Sequence, residues 1–175
     1  MVAAAFGDAV GRTRHGATWF VFCPPGPKFA SFARILAELD VWRQTLVWVK
    51  DSLVLGHSDY HYKLEAILYG WTPGGSHHTP RDRKQTTVWE YDRPKASREH
   101  PTMKPVGLVA YALEQGSDVG NRVLDPFLGS GPTLIAAEQL NRRCYGLEIE
   151  PKYCDVIVDR WEKLTGKTAE RVADG

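Results

Sequence analysis

The chain has 175 residues, of which 43% are hydrophobic, and this is enough apolar material to bury one substantial core. Its 22 lysines and arginines nearly balance its 21 aspartates and glutamates, so net charge provides no general attraction to nucleic acids or membranes. We therefore expect a single domain over residues 1–175, and a nucleic-acid partner has to be argued from local sequence.

The cysteines and the apolar runs narrow the class of protein further. Cys23, Cys144 and Cys154 are odd in number, lie in apolar runs and form no Cys-x-x-Cys pair. This pattern favours buried free thiols in a reducing compartment over disulfides or zinc. No apolar run approaches the roughly 20 residues that cross a bilayer. We expect a cytoplasmic protein without a membrane span.

The predicted elements of the first half alternate between helices and strands. Residues 2–12 are alanine-rich with apolar side chains four apart, which predicts the end of an amphipathic helix. The continuous apolar run 17–23 predicts a strand buried on both faces, and the helical spacing in 28–40 follows a proline start. Two further apolar runs, 43–50 and 65–71, predict strands that are joined by a polar and aromatic loop.

The stretch "GHSDYHY" in that loop has two interpretations. It either faces DNA or forms a polar hairpin that exposes His57 and His61. Two histidines four residues apart lack the further ligands of a metal site, so we assign no metal to them.

Residues 72–98 interrupt the alternation. The segment is rich in proline, glycine, histidine and basic residues, so we interpret it as an inserted loop region and a possible target-recognition segment. Arg81, Arg83 and Lys84 are its candidate DNA contacts, because basic groups neutralise phosphates while nearby aromatic rings stack on bases. The alternative is a solvated loop whose basic groups are balanced by its own acids.

The second half returns to regular alternation. Apolar spacing predicts a helix over 105–115, a strand over 122–127 and a helix over 132–141. A further strand over 143–150 precedes a helix over 151–166 that is closed by a glycine. Strands and helices in this order favour a parallel sheet with helices on both faces.

A glycine-rich loop over residues 125–131 joins strand to helix, at the point where open α/β sheets bind ligands. Gly129 and Gly131 permit close backbone approach, and free N–H groups at the helix start favour an anionic ligand group. Glu148 ends the next strand, where a carboxylate accepts hydrogen bonds from both hydroxyls of a ribose. Asp125 repels a pyrophosphate but suits an ammonium or sulfonium, which favours S-adenosylmethionine over NAD or ATP. The alternative is a tight turn beside an exposed strand end.

Three motifs extend this pattern, namely "HPTMKPVGL", "LDPFLGSG" and "CYGLEIEPKYCDV". Together they resemble the amino-methylating DNA methyltransferases of the permuted β arrangement, which modify adenine N6 or cytosine N4. The resemblance implies the α/β, Rossmann-like fold of S-adenosylmethionine-dependent methyltransferases, with a mostly parallel sheet and helices on both faces. It also implies DNA as the partner and a methyl transfer that needs no metal.

The same resemblance implies roles for individual residues. The glycine-rich loop matches the one that holds the methionine part of S-adenosylmethionine, Glu148 matches the acid on its ribose, and "HPTMKP" matches the motif that closes over it. The implied cofactor-binding residues are Asp125, Pro126, Phe127, Gly129, Ser130, Gly131, Thr133, Glu148, Thr102 and Lys104. Pro132 replaces the usual Thr or Ser, a harmless change at a helix start.

The catalytic motif of that family, D/N-P-P-Y/F, does not occur in the sequence. In the family it orients the amine and stacks an aromatic ring on the flipped base. The nearest string, "CPPG" at 23–26, offers only a weak acceptor and no ring, so we assign no catalytic residue. Family order places the motif upstream, so we expect the C-terminal part of a longer enzyme, inactive alone, whose sheet is incomplete at the N-terminus. Another chain or segment would then supply the motif.

Two other functions stay open. One is a non-catalytic remnant that binds S-adenosylmethionine or DNA. The other is a dinucleotide-dependent oxidoreductase, which Asp125 and the missing third glycine of G-x-G-x-x-G disfavour.

Overall fold

A computed structural model describes residues 2–56, 58–80, 82, 84–94 and 103–172 of the chain. The chain divides into two units, each with its own sheet. Unit 1 comprises Met1–Arg93 with Tyr111–Asp118, and unit 2 comprises Pro94–Ala110 with Val119–Gly175. The single domain expected from the length stays a prediction.

Every element predicted from the sequence is present, and one strand is added. The elements are α1 (Val2–Arg12), β1 (Thr18–Cys23), α2 (Pro27–Glu38), β2 (Trp42–Val54), β3 (Tyr62–Trp71), β4 (Val88–Glu90), α3 (Val106–Gly116), β5 (Arg122–Asp125), α4 (Pro132–Gln139), β6 (Arg143–Gly146) and α5 (Pro151–Thr165). Three helices have proline in the first turn, where its missing N–H costs no helical hydrogen bond.

The sheet of unit 1 has the strand order β1-β3-β2-β4. β3 is antiparallel to both of its neighbours, whereas β4 is parallel to β2. Because a parallel crossover needs about a dozen residues or more, the short loop 55–61 between β2 and β3 enforces an antiparallel hairpin. Within this sheet, β3 therefore runs opposite to β1, β2 and β4.

The core of unit 1 lies between this sheet and the first two helices. Phe6 of α1 and Leu36 of α2 pack with Cys23 of β1 and Leu68 of β3, and all four side chains are buried. Trp19 meets Phe6 edge to face, with ring centroids 6.2 Å apart. Alternation along β1 and β3 places these residues on one face of the sheet and leaves the neighbouring residues for the other face.

The segment 72–98 contains one strand, β4, within its described residues. β4 pairs with residues 47–49 in the middle of β2, and the indole of Trp89 is buried. The Trp89 Nε1–H donates to the Thr86 carbonyl at 3.1 Å, and the Trp48 Nε1–H donates to the Tyr91 carbonyl at 2.7 Å. The apolar stretch within this segment thus adds a strand to the sheet.

Unit 2 contains the parallel pair β5 and β6, which α4 covers on one side while α5 packs on α4. Asp125 pairs with Gly146 at the ends of the two strands. Both strands are shorter than predicted, since the chain leaves the ladder where the glycine-rich loop begins. A Cβ on Gly146 would lie 2.4 Å from Leu128 Cδ2, so this glycine lets the loop pack on the end of β6.

Candidate cofactor-binding site

The glycine-rich loop (residues 125–131) remains hydrogen-bonded to the segment after β6. The Leu147 N–H donates to the Asp125 carbonyl and the Leu128 N–H donates to the Leu147 carbonyl, both at 2.9 Å. Gly129 and Gly131 have φ values of 58° and 78°, in the left-handed region that favours glycine. The loop is thus a defined turn at the carboxyl ends of two parallel strands.

The carboxylate of Asp125 joins this turn to the start of α4. Its Oδ1 accepts from the Phe127 N–H at 3.0 Å, and its Oδ2 accepts from the Thr133 hydroxyl at 2.6 Å. The N-cap residue of α4 is Gly131, which has no side chain to bond the first turn. Within the part of the chain that the structure describes, the side chain thus accepts two of the roughly four hydrogen bonds that a carboxylate can accept.

Glu148 holds the other side of the loop. Its Oε2 accepts from the Gly129 N–H at 2.7 Å, and its Oε1 accepts from the Glu150 N–H at 2.9 Å. The residue is half-buried and follows β6 rather than ending it, because the ladder stops at Gly146. Both carboxylates therefore bond the same loop.

Four backbone N–H groups of the loop that leads into α4 are bonded within the chain, and only that of Gly131 lies at the helix start, where free N–H groups were expected. Phe127 and Gly129 donate to the two carboxylates, while Leu128 and Gly131 donate to backbone carbonyls, the latter at 2.9 Å to the Leu128 oxygen. The turn is so tight that the chain satisfies its own donors. This loop therefore offers less to an anionic group than a phosphate-binding loop does.

Arg160 on α5 is a further contact of the loop that sequence reasoning missed. Its guanidinium donates to the Ser130 carbonyl and, at 3.2 Å, to the Ser130 hydroxyl, and Ser130 itself is buried. Ile157, one turn earlier on α5, lies close enough to Gly131 that a Cβ there would stand 3.0 Å from Ile157 Cγ1. No sequence signal separates Arg160 from the other charged residues of this helix.

The cysteines are free, as predicted, but their burial differs. Cys23 is buried, Cys144 is half-buried and Cys154 is exposed, so the expectation of three buried thiols is wrong for Cys154. Burial, with a smaller contribution from the Asp125 carboxylate, raises the pKa of Cys144 to about 12. The thiol of Cys144 is therefore protonated near neutral pH and is not a ready nucleophile.

Of the other predicted cofactor and DNA contacts, the structure describes Lys104 and Lys84. Thr102, Arg81 and Arg83 lie outside the described residues. Lys104 is half-buried just before α3, and Lys84 is exposed, with its N–H donating to the Asp82 carboxylate at 2.9 Å.

The "CPPG" string does not form a catalytic group. The Cys23 thiol is buried and donates to the Ala66 carbonyl at 3.7 Å, and Gly26 is the N-cap residue of α2 with a φ of 106°. Within the described residues, no three histidine, cysteine or acidic side chains are placed to hold a metal ion. The described helices also include none that is long and apolar enough to cross a membrane.

Comparison with known proteins identifies related chains. The sequence model of a family described as DNA methylase, of the N6/N4 type, matches residues 40–159. The Type II methyltransferase M2.MboI of Moraxella bovis is 28% identical over 152 residues, which cover 85% of this chain and 49% of that protein. The Type II methyltransferase M.Cfr9I of Citrobacter freundii is 31% identical over 101 residues, or 58% of this chain and 32% of that protein. The chain thus spans half or less of the length of these relatives.

Solved structures show the same fold. The M1.HpyAVI complex with SAM superposes with a TM-score of 0.78 at 23% identity, covering 91% of this chain and 81% of that one. The cytosine-N4-specific PvuII DNA methyltransferase superposes with a TM-score of 0.75 at 14% identity, covering 93% and 73%. These likenesses confirm the predicted fold class.

Proposed function

The chain belongs to the N6/N4 DNA methylase family, and on this premise we propose that its glycine-rich loop binds S-adenosylmethionine. The methyl group would pass to an exocyclic amine of DNA, either N6 of adenine or N4 of cytosine. One observation carries this proposal: Asp125 and Glu148 bond the same loop, and within the described residues each accepts two of the roughly four hydrogen bonds that a carboxylate can accept. DNA as a partner is common to the family.

The residues of unit 2 fit the proposed cofactor. Glu148 would accept hydrogen bonds from the ribose hydroxyls, and Asp125 would attract the ammonium group of the methionine part. Exposed Ile149, next to Glu148, offers apolar surface to an adenine ring. When bound, the cofactor supplies an electrophilic methyl group on a sulfonium, which needs no metal. Thr102 and Lys104 are further proposed contacts from the motif before α3.

The same geometry argues against a dinucleotide. A pyrophosphate needs several backbone donors at the helix start, and four of the loop's N–H groups are already bonded within the chain. The carboxylate of Asp125 at that place would repel it. An oxidoreductase is therefore the weaker proposal, and a non-catalytic protein that binds S-adenosylmethionine or DNA is the alternative to methyl transfer.

We further propose that another chain or segment supplies the D/N-P-P-Y/F motif. The thiol of Cys23 is buried, so the "CPPG" string presents no acceptor for an amine. β1 is an apolar strand at an edge of its sheet and, among the described strands, pairs only with β3. Such an edge is suited to pairing with an added strand.

DNA contacts are proposed for two parts of unit 1. The hairpin between β2 and β3 exposes Leu55 at 76% and Tyr60 at 85%, together with the neighbouring His61. Apolar and aromatic side chains that project in this way insert between bases in other DNA-binding proteins. Lys84 is exposed and would contact phosphate, as would Arg81 and Arg83.

The transfer of a labelled methyl group from S-adenosylmethionine to duplex DNA tests this function. The chain alone should transfer none, and an added polypeptide that contains the D/N-P-P-Y/F motif should restore transfer. The control is the same polypeptide with the first residue of the motif changed to alanine. Transfer by the chain alone would show that the catalytic group lies within these 175 residues.

A further inference from the structure

Unit 1 contains a cavity of about 580 Å³ on the face of its sheet opposite to α1 and α2. The side chains of Phe20, Leu46 and Tyr69 point to this face, because their strand neighbours Val21 and Leu68 pack on the helices. The volume lies within the usual range of small-ligand sites. The proposed cofactor site uses none of the described residues that line it.

Four aromatic rings in mutual contact form the walls of the cavity. Phe20 lies 5.1 Å from Tyr69 and 5.7 Å from Trp89, and Trp89 lies 4.9 Å from Tyr111, each distance between ring centroids. The planes of Phe20 and Trp89 meet at 46°, and those of Trp89 and Tyr111 meet at 84°. Rings inclined in this way direct their faces to several sides, as the aromatic cages that bind quaternary ammonium ligands do.

Cations of the chain already lie on aromatic rings of this sheet. The Arg43 Cζ lies 5.2 Å from the ring centroid of Trp71, which also lines the cavity, and the Lys50 Nζ lies 5.0 Å from that of Trp48. A positive group at such a distance is attracted by the negative face of a ring. Trp71 also stacks on His77, with centroids 3.7 Å apart, so we assign a ligand to the other four rings.

The charge at the rim of the cavity is negative. Among the described residues that line it, Asp82 is the one carboxylate, and none is a lysine or an arginine. Asp82 is held in place, since its Oδ1 accepts from the Lys84 N–H and from the Gln85 Nε2, both at 2.9 Å. Burial and, to a smaller extent, the charges of Asp82 and Glu114 raise the pKa of Tyr111. A field that disfavours a tyrosinate favours a cation at the same place.

Ring faces beside a single carboxylate suit a methylated ammonium better than the ammonium of lysine. The lysine group carries three N–H donors that need directed acceptors, and it is strongly hydrated. A methylated ammonium instead presents C–H groups, which ring faces contact directly. We propose that this cavity binds a methylated ammonium group, carried either by a small molecule such as choline or by a methylated lysine side chain. This binding is separate from the proposed methyl transfer and uses other residues.

Calorimetric titration of the full chain tests this proposal with choline and with 3,3-dimethylbutan-1-ol, a neutral alcohol of nearly the same shape. We expect choline to bind about tenfold more tightly, because its charge is what the ring faces and Asp82 recognise. A peptide that contains trimethyllysine, titrated beside the unmodified peptide, distinguishes a protein-borne group from a free one.

Two variants locate the binding in the cavity. Asp82→Asn removes the charge of an exposed side chain and keeps an oxygen for the Lys84 N–H, so choline should bind about threefold more weakly or worse. Tyr69→Leu removes one ring and should also weaken binding. Asp59→Asn, which removes an exposed acid between β2 and β3, is the matched control and should bind normally. Thermal unfolding verifies that each variant is folded.

Four results would overturn the proposal. The first is binding of neither choline nor the trimethyllysine peptide, and the second is equal affinity for choline and the neutral alcohol. The third is an unchanged choline affinity in the folded Asp82→Asn and Tyr69→Leu variants. The fourth is displacement of choline by S-adenosylmethionine, which would assign choline to the cofactor site. Titration of S-adenosylmethionine alone reports the proposed function separately, since its proposed contacts lie in unit 2.

Discussion

Asp125 and Glu148 show why two carboxylates are tolerated beside one loop. Each accepts two hydrogen bonds from the chain, and the donors include the Thr133 hydroxyl and the Gly129 N–H. These bonds tie both carboxylates to the glycine-rich loop. The proposed ligand, S-adenosylmethionine, has the hydroxyl and cationic groups that such carboxylates bind.

Arg160 is the positioning residue of this loop, and its replacement gives a first prediction. Arg160→Met removes the two bonds to Ser130, so we expect S-adenosylmethionine to bind about tenfold more weakly. Arg160→Lys keeps one donor and should recover part of the affinity. Calorimetry would measure the dissociation constant and thermal unfolding would measure the ligand-free stability.

The control for this variant lies on the same helix. Lys163→Met removes an exposed cation that pairs with Asp159 on the surface of α5, so it should leave the dissociation constant unchanged. An Arg160→Met protein that is less stable yet binds S-adenosylmethionine with normal affinity would assign Arg160 a structural role only.

At the level of residues, the sequence predicts contacts that follow from local geometry. Asp125 and Glu148 end or follow neighbouring parallel strands, so their proximity follows from the βαβ order. Arg160 could not be predicted, because its contact with Ser130 depends on the angle at which α5 crosses the loop. The bonded N–H groups were missed for a related reason, since a tight turn and a phosphate-binding turn share the same glycines.

At the level of elements, the order and type of the helices and strands were predictable and two details of pairing were not. The antiparallel direction of β3 follows from the shortness of the loop 55–61. The positions of the apolar runs alone do not reveal this direction. β4 is only three residues long and lies in a segment rich in glycine and proline. Its place beside β2 comes from the burial of Trp89, a tertiary effect that overrides local composition.

A substitution pair in β4 tests this account of the element. Trp89 is buried against Phe20 and Tyr111, so Trp89→Ala should cost about 3 to 4 kcal/mol of unfolding free energy. Its neighbour Val88 is 47% exposed, and Val88→Ala should cost less than about 1 kcal/mol. Urea denaturation followed by circular dichroism measures both. Equal small losses would mean that β4 does not belong to the core.

At the level of the whole molecule, the chemistry is divided between two units. Unit 2 contains the residues proposed to bind S-adenosylmethionine, and unit 1 contains the hairpin proposed to contact DNA. The near balance of charge gave no indication of a nucleic-acid partner. That indication came from the motifs, and the family match over 40–159 confirms the family they resemble. The division into units was not predicted, because the alternation of strands and helices favoured one parallel sheet, whereas the described strands form two sheets.

Calorimetric titration of S-adenosylmethionine into the chain, with NAD as the competing ligand, tests whether the glycine-rich loop binds the proposed cofactor. We expect S-adenosylmethionine alone to bind, and we expect Asp125→Asn and Glu148→Gln each to weaken binding at least about tenfold by removing a charged acceptor. Asp155→Asn, which removes an exposed acid from α5, should bind normally. Binding of NAD without binding of S-adenosylmethionine, or normal affinity in both site variants, would contradict the account.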